Sequence, residues 1–349
     1  MVKDSVLQNP VLVDVFRGDL IESRHRGAIA VCDAQGRVLL ALGDVVSPVY
    51  PRSAVKLLQA LPLVESRAAD VFDLGADELA VACASHSGDR IHLDAVRSLL
   101  AKAGLAEREL ACGAHWPLSE ATTRELLRGG RRPRAIHNNC SGKHAGMLAA
   151  ALHLGLDPRG YETPNHPLQV MIARILSDTC GVALEPSRMG IDGCSLPTYA
   201  VPLSGLARAF ARLGTGAGLA PDRAAAAKRL MQACFAAPLL VAGEGRFDTL
   251  MLRGLAGAAF TKGGAEGVHC AALPALGLGV ALKIDDGAKR GAERALSEVL
   301  AVLLPKAGSA LGDQLKGELR NWRGLTVGRI AASPALQQSL GELDMVTTR

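Results

Sequence analysis

Strand-like segments lie near both ends of this 349-residue chain, and helix-like segments fill its middle. Residues 11–46 contain β-branched runs and a turn at DAQGR, which predict strands. From about residue 53 to 235 the pattern is mostly helical, interrupted by loops rich in Gly, Pro and Asn. Strand patterns return from about residue 246, followed by a long amphipathic helix and a short edge strand, RGLTVGRI. Strands from the two ends bury their apolar faces most simply in one antiparallel sheet with helices against it, which predicts an α+β fold.

The same arrangement predicts a single two-lobed domain over residues 1–349. The sheet lobe would take residues 1–50 and 240–349 from the two chain ends, and the helical lobe would take residues 51–239. We expect a ligand site in the cleft between the lobes, where such sites commonly lie.

Composition excludes several broad classes. A chain that is 49% hydrophobic and 21% charged can build a core and is not disordered. A net charge of +5 and only 3% aromatic residues argue against a nucleic-acid partner, and the basic run 128–134 is interpreted as a solvated loop. Asp14 interrupts any apolar signal core, and no apolar stretch approaches about 18 residues, so no membrane association is expected. We therefore expect a cytoplasmic protein with reduced cysteines.

The stretch SPVYPRSAVKLLQALP, residues 47–62, places Lys56 in an almost wholly apolar helix. A part-buried lysine has a lowered pKa and can act as a base. Ser53 lies three residues earlier on the same face, near the helix start that Pro51 indicates. The pair therefore predicts a serine nucleophile and its activator, although a capping serine and a lysine that extends to solvent have the same spacing.

Two further segments carry residues of the same chemistry. Lys262 precedes two glycines in TKGGAEG, between strand-like runs, and Ser85 lies in the loop ASHSGD after an apolar segment. Ser-x-x-Lys early in a chain and Lys-x-Gly on a late strand form the pattern of serine β-lactamases and penicillin-binding proteins. The simpler interpretations are an exposed hairpin lysine and an ordinary capped turn.

The segment HNNCSGKHAGM, residues 137–147, is the densest cluster of reactive side chains. Cys140 precedes a predicted helix, whose N-terminus would lower the pKa of the thiol, as would Lys143. Cys194 lies in a distant turn, GIDGCSLP. Cys140 is thus a candidate nucleophile or metal ligand. Two cysteines without C-x-x-C spacing are a weak zinc pattern, so unrelated loop cysteines are an open alternative.

Six blocks in a fixed order carry a resemblance to a known family: SPVYPRSAVKLLQALPLVE, CASHSGD, HNNCSGKHAGML, YETPNHPLQ, GIDGCSLPTYAVPL and FTKGGAEGV. Together they resemble the rhizobial-type, thermolabile L-asparaginases of the asparaginase II family, over about residues 10–330. The resemblance implies a fold like that of serine β-lactamases and glutaminases, and it implies a homodimer.

The resemblance also implies roles for individual residues. The matched positions are two catalytic pairs, Ser53 with Lys56 and Ser85 with Lys262, the substrate contacts Arg52, Asp192 and His137, and the zinc ligands Cys140, Lys143 and Cys194. A lysine must be neutral to bind a metal, and the zinc would position substrate rather than activate water. No organic cofactor is implied.

The implied reaction is hydrolysis of L-asparagine to L-aspartate and ammonia. A serine would attack the side-chain amide with a neutral lysine as base, and water would then hydrolyse the acyl-enzyme. The sequence leaves open which Ser–Lys pair acts first. Because two cationic lysines close together repel, at least one should have a lowered pKa.

Other functions fit the same residues. A glutaminase is one, because one methylene contributes only about 1–3 kcal/mol to discrimination. A β-lactamase or D-Ala peptidase is another, but it would leave Cys140 and Cys194 without a role. A non-enzymatic module for amino acids or metals would need no nucleophile, and a Cys140 nucleophile would tolerate loss of Ser53. Threonine asparaginases do not match, because the chain has no GGTI-like N-terminal stretch.

Overall fold

The computed structural model describes residues 8–347, apart from the side chains of residues 307–310 and 347. The outermost parts of the predicted sheet lobe, residues 1–7 and 348–349, lie outside the described residues. The strands of the described part are, in chain order, β1 (Val11–Arg17), β2 (Leu20–Asp33), β3 (Val38–Leu42), β4 (Pro48–Val49), β5 (Met189–Ile191), β6 (Pro197–Tyr199), β7 (Val201–Pro202), β8 (Phe260–Gly263), β9 (Val268–Leu273), β10 (Leu278–Ile284), β11 (Glu318–Arg320) and β12 (Thr326–Ala332). Its α-helices are α1 (Lys56–Glu65), α2 (Ala68–Val71), α3 (Ala76–Ala82), α4 (Arg90–Lys102), α5 (Glu120–Arg128), α6 (Ser141–His153), α7 (Pro167–Cys180), α8 (Leu203–Thr215), α9 (Pro221–Ala236), α10 (Pro238–Val241), α11 (Phe247–Gly254), α12 (Lys289–Leu303), α13 (Gly308–Lys316) and α14 (Pro334–Thr347).

The central element is an antiparallel sheet of eight strands drawn from both parts of the chain. Its main path runs β11, β12, β1, β2, β10, β9, β8, and β3 also pairs with β2. The long strand β2 joins the two halves, because residues 20–26 pair with β1 and residues 27–33 pair with β10. The predicted α+β fold, with strands from both chain ends in one sheet and helices against it, is confirmed. The division into lobes at residues 50 and 240 stays a prediction.

The two faces of the sheet carry side chains of different size. Along β2, Ile29 and Val31 lie in the hydrophobic core that includes α12. Ala28 and Ala30 alternate to the opposite face, where α8 packs on β2, β9 and β10. A Cβ at Gly279 of β10 would lie 2.0 Å from a carbonyl oxygen of α8. Small residues on this face therefore let the helix backbone approach the sheet closely.

The helices of the middle segment hold the motifs ASHSGD and HNNCSGKHAGM close together. Helix α1 packs against α6, α7 and α9, and α3 packs against α4, α6 and α9. Helix α6 approaches α3 at Gly142, where a Cβ would lie 2.2 Å from the carbonyl oxygen of Val81. The approach places the start of α6 beside the loop after α3, where the His86 backbone N–H donates to the carbonyl of Asn139.

Two elements near the C-terminal end differ from the sequence-based expectations. The edge position predicted for RGLTVGRI is wrong, because β12 lies between β11 and β1. The edge strand is β11, whose three residues ELR are too few and too charged to indicate a strand. Residues 247–254 form α11 and not a strand, because Phe247 and Met251, both buried, lie one helical turn apart.

Two short sheets, β4 with β7 and β5 with β6, brace loops outside the main sheet. The turn between β5 and β6 carries Asp192 and Cys194. Within residues 8–347, no helix combines the length and the apolar character needed to cross a bilayer.

Candidate active site

Ser53 and Lys56 lie where a single 3-10 turn, Arg52–Val55, leads into α1. The Lys56 side chain is fully buried, which exceeds the partial burial expected from the sequence. Its Nζ donates hydrogen bonds to the carbonyl oxygens of Ala84 and Asn139, the latter at 3.4 Å, and not to Ser53. Burial lowers the pKa of Lys56 to about 8, against the raising effect of the nearby Cys140.

Ser85 and Lys262 form the second predicted pair. Ser85 follows α3, and its backbone N–H donates to the carbonyl of Val241. Lys262 lies on β8 opposite Cys270 of β9 and is fully buried. Its Nζ donates to Ser85 Oγ at 3.2 Å and to the carbonyl of Gly263 at 2.9 Å. The structure therefore joins two residues that the sequence separates by 177 positions.

Close packing favours glycine at both positions after Lys262. A Cβ at Gly264 would lie 2.6 Å from the carbonyl oxygen of Pro51 and 3.2 Å from the backbone nitrogen of Ala54. A Cβ at Gly263 would lie 3.1 Å from the ring of His269. The absence of side chains at both positions lets the end of β8 lie directly against the turn that carries Ser53.

Ser53, Ser85 and Lys262 line one cavity of about 240 Å³. Lys56 lies next to the cavity, since its amine bonds to the carbonyl of Ala84, the residue before Ser85. The structure thus brings all four predicted catalytic residues to one place.

The charged or titratable residues of this cavity that were not predicted from the sequence are Arg246, Asp248, Glu266, His269, Lys289 and Glu293. Three of them, Arg246, Asp248 and His269, interact electrostatically with Lys262 or with its partner Asp248. Arg246 precedes α11, and its Nη1 is buried without a hydrogen-bond partner among the described residues. None of the three belongs to a motif or spacing that can be recognised in the sequence. The incorrect strand assignment over residues 247–254 also concealed Asp248, which lies in α11, and Arg246, which precedes it. Only their position in the fold identifies them.

Asp248 is buried, and both of its carboxylate oxygens accept hydrogen bonds. Its Oδ1 accepts hydrogen bonds from His269 Nε2 at 2.8 Å and Thr261 Oγ1 at 3.2 Å. Its Oδ2 accepts from the backbone N–H of Gly263 at 3.0 Å and lies 3.5 Å from Lys262 Nζ. Burial acts to raise the pKa of Asp248, but Lys262 and His269 outweigh it and hold that pKa well below its usual range. Conversely, burial lowers the pKa of Lys262 and Asp248 opposes this.

Arg52 and Asp192, the predicted substrate contacts, pair with each other. Arg52 Nη2 lies 2.6 Å and its Nε 2.8 Å from Asp192 Oδ1. Burial acts to raise the pKa of Asp192, but Lys143 and Arg52 hold it below its ordinary value. The pair links the turn of Ser53 to the β5–β6 hairpin.

His137 occupies a different place. Its Nδ1 accepts a hydrogen bond from the backbone N–H of Arg134 at 2.9 Å. It lines a separate cavity of about 720 Å³, together with arginines of the basic run 128–134. The structure does not bring His137 to the cavity that the serines line.

Cys140, Lys143 and Cys194 lie together, as the family resemblance implies. Cys140 caps the start of α6, and Lys143 Nζ donates to Cys194 Sγ at 3.1 Å. A hydrogen bond from Cys194 and the charges of Lys143 and Lys56 lower the pKa of Cys140 well below its usual value. The same hydrogen bond, with burial, raises the pKa of Cys194. Burial acts to lower the pKa of Lys143, but the charges of Cys140 and Cys194 outweigh burial, so the pKa of Lys143 is raised above its ordinary value.

The donor types of this cluster fit zinc in part. Thiolates are preferred zinc ligands, and the three side chains could fill three of four tetrahedral positions. Lys143 and Cys194 would first have to lose their protons, so binding would release protons. Over residues 8–347 there is no group of three or more His, Cys, Asp or Glu side chains that could hold a metal, so any such site depends on the lysine.

Comparison with protein families gives one match over most of the chain. The family model described as L-asparaginase II matches residues 13–332. No curated protein matches the sequence.

Several solved structures are similar at low identity. The native form of the protein named Mglu is 16% identical with a TM-score of 0.42, covering 79% of this chain and 63% of its own. Simvastatin synthase from Aspergillus terreus is 14% identical with a TM-score of 0.40, covering 77% and 90%. A β-lactamase from Mycobacterium bovis is 16% identical with a TM-score of 0.36, covering 79% and 94%. This chain spans about three fifths of the length of Mglu.

Proposed function

The chain belongs to the L-asparaginase II family, and from this membership and its two Ser–Lys pairs we propose that it hydrolyses L-asparagine to L-aspartate and ammonia. Membership makes it an amidohydrolase that acts on a small amide. The observation that carries the finer proposal is the cavity where Ser53, Ser85 and Lys262 meet beside the buried Lys56.

In the first half of the reaction, Ser53 attacks the side-chain amide carbon of asparagine. Its proton passes to the neutral amine of Lys56, which has no carboxylate partner and whose pKa burial lowers to about 8. Ser85 gives its proton to the departing nitrogen and takes one from the Lys262 ammonium, 3.2 Å away. The C–N bond breaks, ammonia leaves, and an acyl ester remains on Ser53.

In the second half, water attacks the ester and transfers its proton through Ser85 to the neutral Lys262. The bond between the acyl carbon and Ser53 Oγ breaks, and Lys56 returns the proton that it took earlier. Both lysines thus regain their starting states, and the sum of the steps is one asparagine and one water to one aspartate and one ammonia.

The charged ends of the amino acid need partners of opposite sign. Arg246 lines the cavity with an unpartnered Nη1, so its guanidinium is available for the α-carboxylate. Asp192 is the candidate for the α-ammonium, held in place by Arg52.

Cys140, Lys143 and Cys194 would hold zinc, and a bound zinc would supply a fixed positive charge that positions the substrate. Homodimer formation and a cytoplasmic location stay predictions of the sequence analysis.

The test is ammonia release from L-asparagine and, in parallel, from L-glutamine, with zinc supplied. Release from asparagine should fall by at least about 10³-fold in Ser53→Ala, because the nucleophile is removed. Ser297→Ala is the matched control, since Ser297 is buried in α12 and bonds only within its helix. Mass spectrometry of a quenched reaction should find the acyl group on Ser53.

Other outcomes would select the alternatives. Faster release from glutamine would indicate a glutaminase, and labelling by a fluorescent penicillin would indicate a penicillin-reactive enzyme. Full activity of Ser53→Ala, abolished by iodoacetamide, would transfer the nucleophile to Cys140. No turnover of either amide by folded, zinc-supplied protein would contradict the proposal.

A further inference from the structure

Asp248 is the carboxylate in contact with the Ser85–Lys262 pair. It is 7% exposed, on α11, and each of its oxygens accepts two contacts, one of them from Lys262 Nζ at 3.5 Å. Among the described residues Lys56 has no carboxylate partner, because its hydrogen bonds go to backbone carbonyls and to Cys140. The two lysines of the site therefore differ in their electrostatic surroundings.

His269 fixes the orientation of this carboxylate. Its Nε2 lies 2.8 Å from Asp248 Oδ1, and its ring packs edge-to-face against Phe247 at 5.0 Å between centroids. The absence of a side chain at Gly263 leaves room for the ring on the other side. The ring, the backbone N–H of Gly263 and Thr261 together hold Asp248 in one geometry.

Stability alone does not explain this arrangement. A buried ion pair contributes little to stability, because the desolvation of both charges offsets their attraction. The charge lies next to Ser85, where a proton must be donated if Ser53 is acylated. We propose that Asp248, oriented by His269, is a positioning residue that keeps Lys262 an ammonium hydrogen-bonded to Ser85, and so makes this pair the proton-donating half of the site. The donating role rests on the proposed function, whereas the charge state of Lys262 does not.

Other groups act on Lys262 with smaller effects. The charged and titratable groups near it, besides Asp248 and Ser85, are Arg246, Cys140, Lys56, Cys234 and Cys270, the last directly opposite Lys262 on β9. Burial, Arg246 and Lys56 lower the pKa of Lys262, whereas Cys140 raises it. Asp248 is the strongest opposing influence, so its neutralisation should shift the equilibrium toward the free amine.

The direct test is NMR titration of protein labelled with ¹³C at the lysine ε-carbons. The chain has ten lysines, and the resonance missing from Lys262→Arg is assigned to Lys262. In the wild type this resonance should report an ammonium at pH 8. In Asp248→Asn its midpoint should fall by about 1–3 pH units, because an opposite charge at this distance contributes that much.

Asp14→Asn is the matched control. Asp14 is 5% exposed, lies on β1 and pairs with Arg24 at 3.2 Å, so the change removes a similarly buried carboxylate outside the cavity. The Lys262 midpoint should not move in this variant. Equal midpoints in wild type and Asp248→Asn would overturn the proposal. If Asp248→Asn did not fold, a neutral Lys262 in the wild type at pH 8 would overturn it by itself.

The pH profile gives the second measurement. Loss of the Lys262 proton should set the alkaline limb of kcat for amide hydrolysis, and Asp248→Asn should move that limb to lower pH by the same interval. A purely structural role would lower kcat at every pH without moving the limb. Failure of the asparaginase proposal would leave no profile to measure, but the NMR titration would still decide the charge state of Lys262.

Discussion

Lys56 is a fully buried amine at the start of an apolar helix. Its burial costs folding free energy, so a role in the reaction explains its presence better than a structural role does. Its hydrogen-bond partners are two carbonyl oxygens and Cys140, and no carboxylate is among them. A residue retained for structure alone would be better served by an apolar side chain of similar length.

Replacement of Lys56 by Met should therefore separate stability from activity. Turnover should fall by about 10²–10⁴-fold, the range typical of a lost general base. The melting temperature should stay equal or rise, because the buried charge is gone. Thermal unfolding and ammonia assays measure the two effects, with Lys283→Met, at a half-buried lysine on β10, as control. An active Lys56→Met variant would remove Lys56 from the mechanism.

The residues of the site that can be recognised in the sequence are those that belong to a short spacing or to a family motif. Ser53, Ser85 and Lys262 were selected in this way, and the structure brings them to one cavity. Asp248 and His269 were not selected, because a carboxylate and an imidazole 21 residues apart carry no local pattern. Their partnership exists only because α11 and β9 meet β8 in the fold.

At the scale of elements, the end of β8 determines how the two Ser–Lys pairs meet. The strand and the 3-10 turn of Ser53 touch through backbone atoms, with no side chain at Gly264 between them. Periodicity predicted β8, β9 and β10 but could not predict this contact, which depends on sequence-distant backbones. It also assigned α11 incorrectly, because its short apolar run is compatible with either a strand or a helix.

Gly264→Ala should move β8 away from the turn of Ser53, since the new Cβ would lie 2.6 Å from a carbonyl oxygen. A displacement of about 1 Å can cost about 100-fold in rate, so we expect a loss of that order with the fold retained. Gly341→Ala in α14, where a Cβ meets open space, should keep full activity. Wild-type rates in Gly264→Ala would contradict the close packing of these elements.

At the scale of the whole molecule, the cysteine cluster links parts of the chain that share no sheet. Cys140 directly precedes α6, whereas Cys194 belongs to the β5–β6 turn. A ligand that binds both residues stabilises the folded state, because the unfolded chain does not hold them together.

Zinc at about 100 times its dissociation constant should therefore stabilise the protein by about 2.7 kcal/mol and raise its melting temperature by about 2–4 °C. A chelator should reverse the effect, and Cys140→Ser should abolish it. Cys180→Ser, at a core cysteine of α7, is the control that should keep the response. A zinc-independent melting temperature in the wild type would contradict the metal proposal.

The pairing of β2 with β10 has a consequence during synthesis. Ile29 pairs with Leu282, so β2 leaves the ribosome long before its partner exists. At about 5–20 residues per second, the delay is on the order of 10–50 s. Throughout this time the edge of β2 that pairs with β10 lacks its partner, and residues 53 and 85 are made well before Lys262. The two serines and two lysines of the candidate site can therefore meet only after about three quarters of the chain has been made.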